Sequence, residues 1–429
     1  MLGKLALVVS SFIILALLTS CNSNHGKSTN VNPQADQIKY SNFQQAIIDN
    51  TLEIKSNEGL LSEDDLANFA QSLGDARIVG LGEQTHGAGS VFRLKTQLIK
   101  YLHEHHDFDV FILESGLFDV QNIWKEAQTG QRIKDIAPDN IFYMYAKTAE
   151  VTPLFDYINK EVKGDDPLIL VGFDSQHTGG LSNKSLVDSL TQAVNQSSGN
   201  IKQFVQWQVF SDQIQQVLDV NNIRFNNEVE SLFFKQLHDL QQIFSTDSAL
   251  NIGDSGFWYR ISKGLEAQAK RQWKIADNRS QEMGENIKYW AEQYPDKKII
   301  VWAHTWHLTR DGGYQINAGQ IVTEAYGEQY FMVHFTGATG EYLDFVTMKN
   351  KTIKTADNNM VETLLNDNTT ENVSFLNLKS LKKNEDISSQ QNTLVFSNDY
   401  KQTLPAQQWS TFFDGIFFIK NIEAAHFED

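Results

Sequence analysis

Residues 77–95 read Arg-Ile-Val-Gly-Leu-Gly-Glu-Gln-Thr-His-Gly-Ala-Gly-Ser-Val-Phe-Arg-Leu-Lys. A short apolar run at the start of this stretch predicts a strand, and apolar residues at helical spacing from Ser90 onwards predict a helix. The glycine-rich turn between them carries an acid, Glu83, and a base, His86. In open α/β sheets ligands bind where a strand ends, so this turn is a candidate functional site. A turn whose polar side chains only face water is the alternative for this stretch taken alone.

Four further apolar runs share this pattern. They cover residues 108–113, 168–173, 298–303 and 330–335, and the first three lead into Glu114, Asp174 and His304. Near-continuous apolar runs separated by helical patterns are typical of a parallel sheet that is buried on both faces. Because parallel strands place their carboxyl ends on one side, the acids and histidines should meet at one rim of the sheet.

The expected fold is of the α/β class, with a central, mostly parallel sheet, helices on both faces and a helical insertion lobe at about 185–275. The spacing of apolar residues predicts the remaining elements. Helices are expected at 91–106, 119–130, 150–163, 275–294 and 361–365, a strand break at 336–340, a hairpin at 343–348, and strands at 373–376 and 413–419.

Residues 1–20 have the pattern of a secretory signal, with a basic start, a short apolar run and small residues before a cysteine. The ending Leu-Thr-Ser-Cys resembles a bacterial lipoprotein signal, which implies a lipid on Cys21 that anchors the protein stably to a membrane. An ordinary signal peptide is the alternative. Asn22 favours the outer membrane of a Gram-negative cell envelope. Residues 21–37 predict a flexible tether, and residues 38–429 predict the catalytic domain.

Composition excludes several classes of protein. The formal charge of −17 argues against a nucleic-acid partner. The single cysteine argues against disulfides, a cysteine nucleophile and Cys-ligated zinc. The chain contains no Gly-x-Ser-x-Gly turn, which disfavours an ordinary serine α/β-hydrolase, and no Gly-x-Gly-x-x-Gly after the first strand, which disfavours a dinucleotide site.

Three histidines near the end of the first predicted helix have the composition of a metal cluster. His103, His105 and His106 surround Glu104 in consecutive positions, so they cannot all face one ion. A solvated last turn, in which histidine offsets the helix dipole, is the favoured interpretation.

Motifs in the order found along this chain resemble those of the erythromycin esterase family. They cover most of residues 75–420 and comprise Gly82-Glu83-Gln84-Thr85-His86-Gly87, Phe92-Arg93-Leu94-Lys95, Glu114, Gly172-Phe173-Asp174, the segment from Asn278 to Asn286 with Met283, Trp302-Ala303-His304-Thr305-Trp306-His307, Tyr326-Gly327 and Phe413-Asp414-Gly415. The resemblance implies hydrolysis of an ester or lactone, in named members the macrolactone of a macrolide, without a serine nucleophile. It thereby implies a link to macrolide resistance and the antibiotic response.

The resemblance also implies roles for five side chains. His86 would act as general base on a water molecule, and Glu83 and Glu114 would hold that histidine and the water. Arg93 and His304 would position the substrate and stabilise the oxyanion. The residues read on their own allow this chemistry, because an imidazole can draw a proton from water while cationic donors steady a tetrahedral oxyanion. Arg93 lies seven residues beyond His86, about two helical turns along, and could point back to the rim.

Five more residues are expected to bind substrate. Gln84 and Trp306 lie inside the motifs, and Trp306 places a bulky ring between His304 and His307. Asp174, His177 and His307 follow strand ends. A structural role is the alternative for His177 and His307, and Asp174 could either orient a histidine or cap a helix.

No cofactor is expected, and the expected partner is a small-molecule ester or lactone. The first alternative is a metal-dependent hydrolase, because Glu83, His86, Glu114 and His304 are acceptable ligands for Zn²⁺ or Mn²⁺ and the Tiki-type proteases, distant relatives of this fold, look metal-dependent. The second is a surface lipoprotein that binds a small molecule without turnover.

Overall fold

The central element is a nine-stranded sheet within the described part of the chain. The computed structural model describes residues 40–57, 59–197, 204, 206–219, 224–246, 252–313, 315–354, 358–397 and 402–428. The signal, the lipidation site and the tether expected before residue 38 lie outside this range. Residues 41–429 cluster into one compact unit. No helix in the described ranges has the length and apolar character needed to cross a membrane.

Thirteen strands are assigned over the described residues. They are β1 (Thr51–Ile54), β2 (Ser56–Asn57), β3 (Leu60–Leu61), β4 (Ile78–Glu83), β5 (Val110–Gly116), β6 (Ile169–Asp174), β7 (Ile299–His304), β8 (Tyr330–Asp344), β9 (Lys349–Lys354), β10 (Val373–Asn377), β11 (Thr393–Ser397), β12 (Gln402–Pro405) and β13 (Gly415–Ile422).

The main sheet has the order β1-β10-β13-β8-β4-β7-β5-β6, with β9 paired to β8. The neighbours from β13 through β6 are parallel, whereas β1, β10 and β9 pair antiparallel. The structure therefore confirms an α/β fold with a mostly parallel central sheet. The strand β4 is buried along its whole length, as expected for a central strand in such a sheet.

Helices surround the sheet. They are α1 (Asn42–Asp49), α2 (Glu63–Ser72), α3 (Gly89–His106), α4 (Leu117–Thr129), α5 (Ile133–Ile136), α6 (Tyr143–Ala146), α7 (Thr152–Glu161), α8 (Gly180–Gln196), α9 (Trp207–Leu218), α10 (Asn227–Thr246), α11 (Ile252–Gln272), α12 (Arg279–Gln293), α13 (Thr305–Leu308), α14 (Ala318–Tyr326), α15 (Val361–Asn368), α16 (Leu378–Asn384) and α17 (Ala406–Phe412). The long helices α8 to α11 occupy the predicted insertion range and pack against one another.

The predicted break at 336–340 is wrong, because β8 continues through it to Asp344. The small residues of that stretch serve close packing. A Cβ added to Gly337 would lie 2.5 Å from the side chain of Ile422, and one added to Gly340 would overlap the Ile422 carbonyl oxygen. Glycine here therefore allows close packing of the neighbouring strand β13. The turn between β8 and β9 falls within the hairpin range expected at 343–348.

Strand order positions the functional rim. In the middle of the sheet β4 lies beside β7, and β7 lies beside β5. The register pairs Glu83, the last residue of β4, with His304, the last residue of β7. Since neighbouring strands are about 4.8 Å apart, side chains at the ends of these three strands come within hydrogen-bonding reach.

Candidate active site

The turn that follows β4 is held by backbone hydrogen bonds from two other segments of the chain. The carbonyl oxygen of Gly87 accepts hydrogen bonds from the backbone nitrogens of Leu343 and Ala425, both at 2.9 Å. A side chain at position 87 would overlap the Leu343 carbonyl. Glycine is therefore needed here for close approach of two backbones, and the approach holds His86 at the rim.

A C-terminal clasp, which we define as residues 423–428, also contacts this turn. The backbone nitrogen of Glu423 donates to Ser90 Oγ at 2.8 Å, and Ala424 forms an antiparallel bridge with Ala88. The same segment then pairs with residues 147–149, through Ala149 N to His426 O at 2.8 Å and through Glu428 N to Lys147 O at 2.9 Å. The clasp thus links the turn that carries His86 to the segment next to α6.

Glu83 is fully buried and lies between two bases. Its Oε1 atom lies 3.2 Å from Nδ1 of His86 and accepts a 2.8 Å hydrogen bond from the hydroxyl of Tyr145. Its Oε2 atom contacts the ammonium of Lys95, which is also fully buried and donates to the Leu81 carbonyl at 2.7 Å. An uncompensated carboxylate would be costly in this environment, and Lys95 provides the compensation.

The charges at this pair follow from burial and proximity. Burial alone would raise the pKa of Glu83, but Lys95 and His86 outweigh it and lower that pKa to about 2. Burial lowers the pKa of Lys95 to about 8 against the opposing attraction of Glu83. Both groups therefore carry charge at neutral pH. Burial, and then the negative charges of Glu83 and Glu114, raise the pKa of Tyr145 well above its usual value, so its hydroxyl remains a donor.

Glu114 is the second carboxylate at the rim. Its Oε2 atom accepts the backbone N–H of His304 at 2.7 Å and lies 3.3 Å from the Tyr145 hydroxyl. Its Oε1 atom lies 3.3 Å from Nε2 of His307 and 3.5 Å from Nη2 of Arg279. Burial raises the pKa of Glu114, although nearby His86 and Arg279 oppose the rise.

His304 is held in one tautomer by two backbone groups. Its Nδ1 atom accepts from the backbone nitrogen of Trp306 at 3.2 Å, so the proton resides on Nε2, which donates to the Gln84 carbonyl at 3.0 Å. Burial, with the neighbouring His86 adding repulsion, lowers the pKa of His304 to about 3, and the ring is neutral at physiological pH. His304 therefore positions the turn after β4, and both of its ring nitrogens are engaged.

An arginine at the start of α12 places a positive charge beside the rim carboxylates. Arg279 forms a two-bond pair with Asp174, at 2.9 Å from Nε and 2.6 Å from Nη2. Next to it, Nδ1 of His307 lies 2.8 Å from the Ser280 hydroxyl. Burial, and then the charge of Arg279, lower the pKa of His307 well below its usual value, so this imidazole is neutral.

These groups open into a cavity of about 680 Å³. That volume lies in the range of small-molecule sites. The cavity is lined by His86, Glu114, Ser115, Gly116, Asp139, Asn140, Ile141, Phe142, Tyr143, Asp174, Gln176, Thr178, Gly179, Arg271, Arg279, His304, His307 and Phe345. It combines a general-base candidate, three carboxylates, two arginines and several aromatic side chains.

A model of the family described as "Erythromycin esterase" matches residues 103–422 of this chain. The chain belongs to the erythromycin esterase family. A Bacillus subtilis (strain 168) protein called "Putative hydrolase YbfO" is 28% identical over 397 residues, which cover 84% of this chain and 87% of that protein. The family and the hydrolase name of this relative together support hydrolase function.

Three solved structures resemble this family member in fold. A Bacillus cereus protein has a TM-score of 0.74 at 19% identity, covering 90% of this chain and 98% of that one. A structure described as a succinoglycan biosynthesis protein has a TM-score of 0.72 at 16% identity, with the same coverage. A variant of the erythromycin esterase EreC in its open conformation has a TM-score of 0.61 at 15% identity, covering 87% of this chain and 98% of that one.

The structure brings together six of the residues expected at the site of this family member. They are Glu83, His86, Glu114, Asp174, His304 and His307, all in the cavity wall or in direct contact with it. Gln84 is buried, and Trp306 is partly buried; neither side chain lines the cavity. Both contribute backbone atoms instead, by holding the His304 ring.

The structure does not place Arg93 at the site. Its guanidinium pairs with Glu423 at 3.0 Å, and its side chain is 42% exposed. The helix α3 begins only at Gly89, so the two helical turns expected between His86 and Arg93 do not form. Successive helical residues rotate by about 100°, which sets Lys95 roughly opposite Arg93. The inward-facing cation is therefore Lys95.

His177 also lies away from the cavity. Its Nε2 atom lies 3.3 Å from the Ile261 carbonyl of α11, and its backbone nitrogen donates to Gln268 at 2.7 Å. A Cβ on Gly264 would lie 2.5 Å from the ring. Burial lowers the pKa of His177 to about 4, so it is a neutral core residue. The structural alternative fits this histidine.

Sequence reasoning missed Lys95, Tyr145 and Arg279 as site residues. Lys95 belongs to the motif Phe92-Arg93-Leu94-Lys95, and its place among the apolar positions of α3 is the signal that could have found it. Arg279 lies within the motif segment from Asn278 to Asn286, near the start of the helix predicted at 275–294. Tyr145 lies in the four-residue helix α6, which has too few residues to show a periodicity.

Proposed function

We propose that the protein hydrolyses an ester or lactone by a water molecule that His86 activates, without a serine nucleophile. The observation that carries the proposal is the arrangement around His86. Its Nδ1 atom lies 3.2 Å from Glu83 and 3.2 Å from the Tyr145 hydroxyl. The ring also lines the cavity. An imidazole fixed through one nitrogen presents the other nitrogen to a water as a general base.

Glu83 favours the charged imidazolium that forms when His86 takes a proton. The carboxylate stays ionised because the buried Lys95 contacts it and the Tyr145 hydroxyl donates to it. A fixed charge in a buried setting stabilises an opposite charge more strongly than water does. Lys95 and Tyr145 thus act as positioning residues behind the base.

Arg279 supplies the positive charge for the developing oxyanion. The two bonds to Asp174 fix its guanidinium plane, and Arg279 lines the same cavity as His86. Preorganised donors of this kind contribute most when charge develops at the substrate. This role was expected of Arg93 and His304, but Arg93 pairs elsewhere and both nitrogens of His304 are engaged.

The reaction balances with these groups alone. Water attacks the carbonyl carbon as its proton passes to His86 Nε2, and the carbonyl oxygen becomes an oxyanion beside Arg279. The carbon–oxygen bond to the leaving group then breaks, and the imidazolium returns its proton to the alkoxide. The products are a carboxylic acid and an alcohol, or one hydroxy acid from a lactone.

A panel of ester, lactone and amide substrates, including a macrolide, tests the proposal. His86→Asn should lower turnover of the accepted substrate by at least about a hundredfold while leaving ligand affinity nearly unchanged. The matched control is His105→Asn, which changes an exposed histidine on α3 whose ring lies 4.7 Å from the Tyr101 ring, centroid to centroid. Equal rates for wild type and His86→Asn would refute the role of His86. Ligand binding without turnover of any substrate would favour the binding-protein alternative.

A metal-dependent hydrolase is the second candidate function. Ligand atoms of Glu83, His86 and Glu114 lie within 4.8 Å of one another, and histidine with carboxylates suits Zn²⁺ or Mn²⁺. The ammonium of Lys95 already compensates Glu83, which weighs against a second cation at that carboxylate. Elemental analysis with chelator treatment separates the two mechanisms, since the water mechanism retains full activity in metal-free protein.

A further inference from the structure

A second group of potential metal ligands lies near the amino ends of the strands. Ligand atoms of His103, Asp109 and Asp166 all lie within 4.8 Å of one another. Asp109 directly precedes β5, whose other end carries Glu114. Strands rise about 3.3 Å per residue, so the two acids are roughly 16 Å apart along the strand. The group is therefore separate from the candidate active site.

Two atoms of this group are buried without a hydrogen-bond partner in the described part of the protein. They are Nε2 of His103 and Oδ1 of Asp109, on residues that are only 6% and 5% exposed. Leaving a buried polar atom unpaired costs about 1–3 kcal/mol, and most such atoms in folded proteins have a partner. Two unpaired buried atoms on neighbouring potential ligands are the feature that requires an explanation.

The other ring nitrogen of His103 is already engaged. Its Nδ1 atom lies 2.6 Å from the hydroxyl of Tyr157. Histidines that ligate metals commonly donate the remaining N–H to an outer partner, which fixes the tautomer and turns the free lone pair toward the ion. Tyr157 fits that role when Nδ1–H donates to its oxygen.

We propose that His103 Nε2, Asp109 Oδ1 and a carboxylate oxygen of Asp166 bind one divalent transition-metal ion of the Zn²⁺ type. Bonds of about 2.1 Å in tetrahedral geometry place ligand atoms about 3.4 Å apart. Asp166 can move to close the group to that spacing, because its side chain is 61% exposed and lies in the turn after α7. Water completes the coordination shell. The ion joins the end of α3 to the segments that enter β5 and β6.

Lys297 competes for the same carboxylates. Its ammonium lies 2.6 Å from Oδ2 of Asp109 and 3.5 Å from Oδ1 of Asp166. The side chain is 37% exposed, so it can swing into solvent when an ion enters. A metal ion must therefore displace the Lys297 ammonium from the two carboxylates, so removal of that ammonium should tighten binding of the metal.

Titration of metal-free full-length protein with Zn²⁺, against a chromophoric chelator, tests the site. The His86→Asn variant is the starting protein, because it disables the cluster of Glu83, His86 and Glu114 at the rim. We expect one Zn²⁺ per chain in this variant and a higher midpoint of thermal unfolding with the ion bound. Adding Asp166→Asn should weaken Zn²⁺ binding at least tenfold, and adding Lys297→Met should strengthen it.

His103→Gln added to the same starting protein should abolish stoichiometric binding, whereas His105→Gln, a histidine exposed on the same helix end, should leave it unchanged. Asp166→Asn keeps the test decisive if His103→Gln unfolds, because Asp166 lies in an exposed turn. Zn²⁺ binding that is unaffected by Asp166→Asn and Lys297→Met overturns the proposal. Loss of all Zn²⁺ binding in the single His86→Asn variant overturns it as well.

Discussion

Glu83 Oε1 lies 3.2 Å from His86 Nδ1, while the other oxygen of the same carboxylate contacts a buried ammonium. One acid therefore contacts the His86 ring and neutralises Lys95 at the same time. Its two functions can be measured separately, because one appears in turnover and the other in the free energy of unfolding.

Glu83→Gln should reduce kcat by about 10²–10⁴-fold, because the imidazolium loses its counter-charge. It should also lower the free energy of unfolding by about 3–5 kcal/mol, since Lys95 is left as an unpaired buried charge. Steady-state kinetics and urea denaturation measure the two effects. A Glu83→Gln protein with wild-type stability would contradict the charge pairing, and one with wild-type kcat would contradict the orienting role.

Lys95→Met and Arg93→Gln distinguish the buried cation from the exposed one. Removal of Lys95 should raise the pKa of Glu83 from about 2, so the loss of activity on acidification should begin at a higher pH. Arg93→Gln should leave the pH profile unchanged and alter stability by no more than about 0.5 kcal/mol, because its ion pair is exposed. The pH dependence of kcat/KM for both variants checks this. A shifted pH profile for Arg93→Gln, with an unchanged profile for Lys95→Met, would instead indicate that Arg93 acts at the site.

Arg279→Gln should lower kcat by about 10²–10³-fold, which is the usual effect of removing one oxyanion donor. Arg279→Lys keeps the charge but loses the paired geometry with Asp174. Its activity should therefore lie between that of the wild type and that of Arg279→Gln. Arg132→Gln, which changes a half-exposed arginine outside the cavity lining, is the matched control. A change in KM alone, with kcat preserved, would assign Arg279 to substrate binding rather than to the oxyanion.

His177 should make stability depend on pH. Its pKa is lowered by burial to about 4 in the folded state, against about 6.5 in an unfolded chain. The unfolded state therefore binds more protons between these values, and this contribution to stability is lost as the pH falls from 6.5 towards 4. The His177→Gln variant lacks this pH-dependent contribution. The amount by which its free energy of unfolding lies below that of the wild type should therefore shrink by roughly 2–3 kcal/mol between pH 7 and pH 4.5. Denaturant unfolding at both values measures the difference, and a constant deficit would contradict it.

Much of the sheet was predictable because its strands are buried on both faces and carry continuous apolar runs. The runs at 108–113, 168–173 and 298–303 correspond to β5, β6 and β7, with ends that differ by one to three residues. The position of the rim was also predictable, because the polar residue after each buried apolar run lies at the end of its strand. The strand break expected at 336–340 is wrong because the glycines there allow a neighbouring strand to pack closely. Sequence periodicity does not distinguish a glycine needed for close packing from a glycine in a turn.

The site was less predictable where roles depend on side-chain direction. Arg93 and Lys95 lie two residues apart, and only the true start of α3 at Gly89 decides which of them faces inward. The expected substrate contacts of Trp306 and Gln84 became backbone contacts to His304. Tyr145 belongs to a single helical turn and reaches Glu83 across 62 residues of sequence. Such contacts depend on tertiary packing, which leaves no local pattern.

Because of the clasp formed by residues 423–428, the turn that carries His86 is difficult to exchange on its own with that of a relative. Ser90 and Glu423 are 333 positions apart in sequence yet share a 2.8 Å hydrogen bond. A chimera that exchanged only the loops around the cavity with those of a relative would lose this fastening, whatever the quality of the loops themselves. Grafts between family members should therefore carry the 87–90 turn and the clasp together, as one unit.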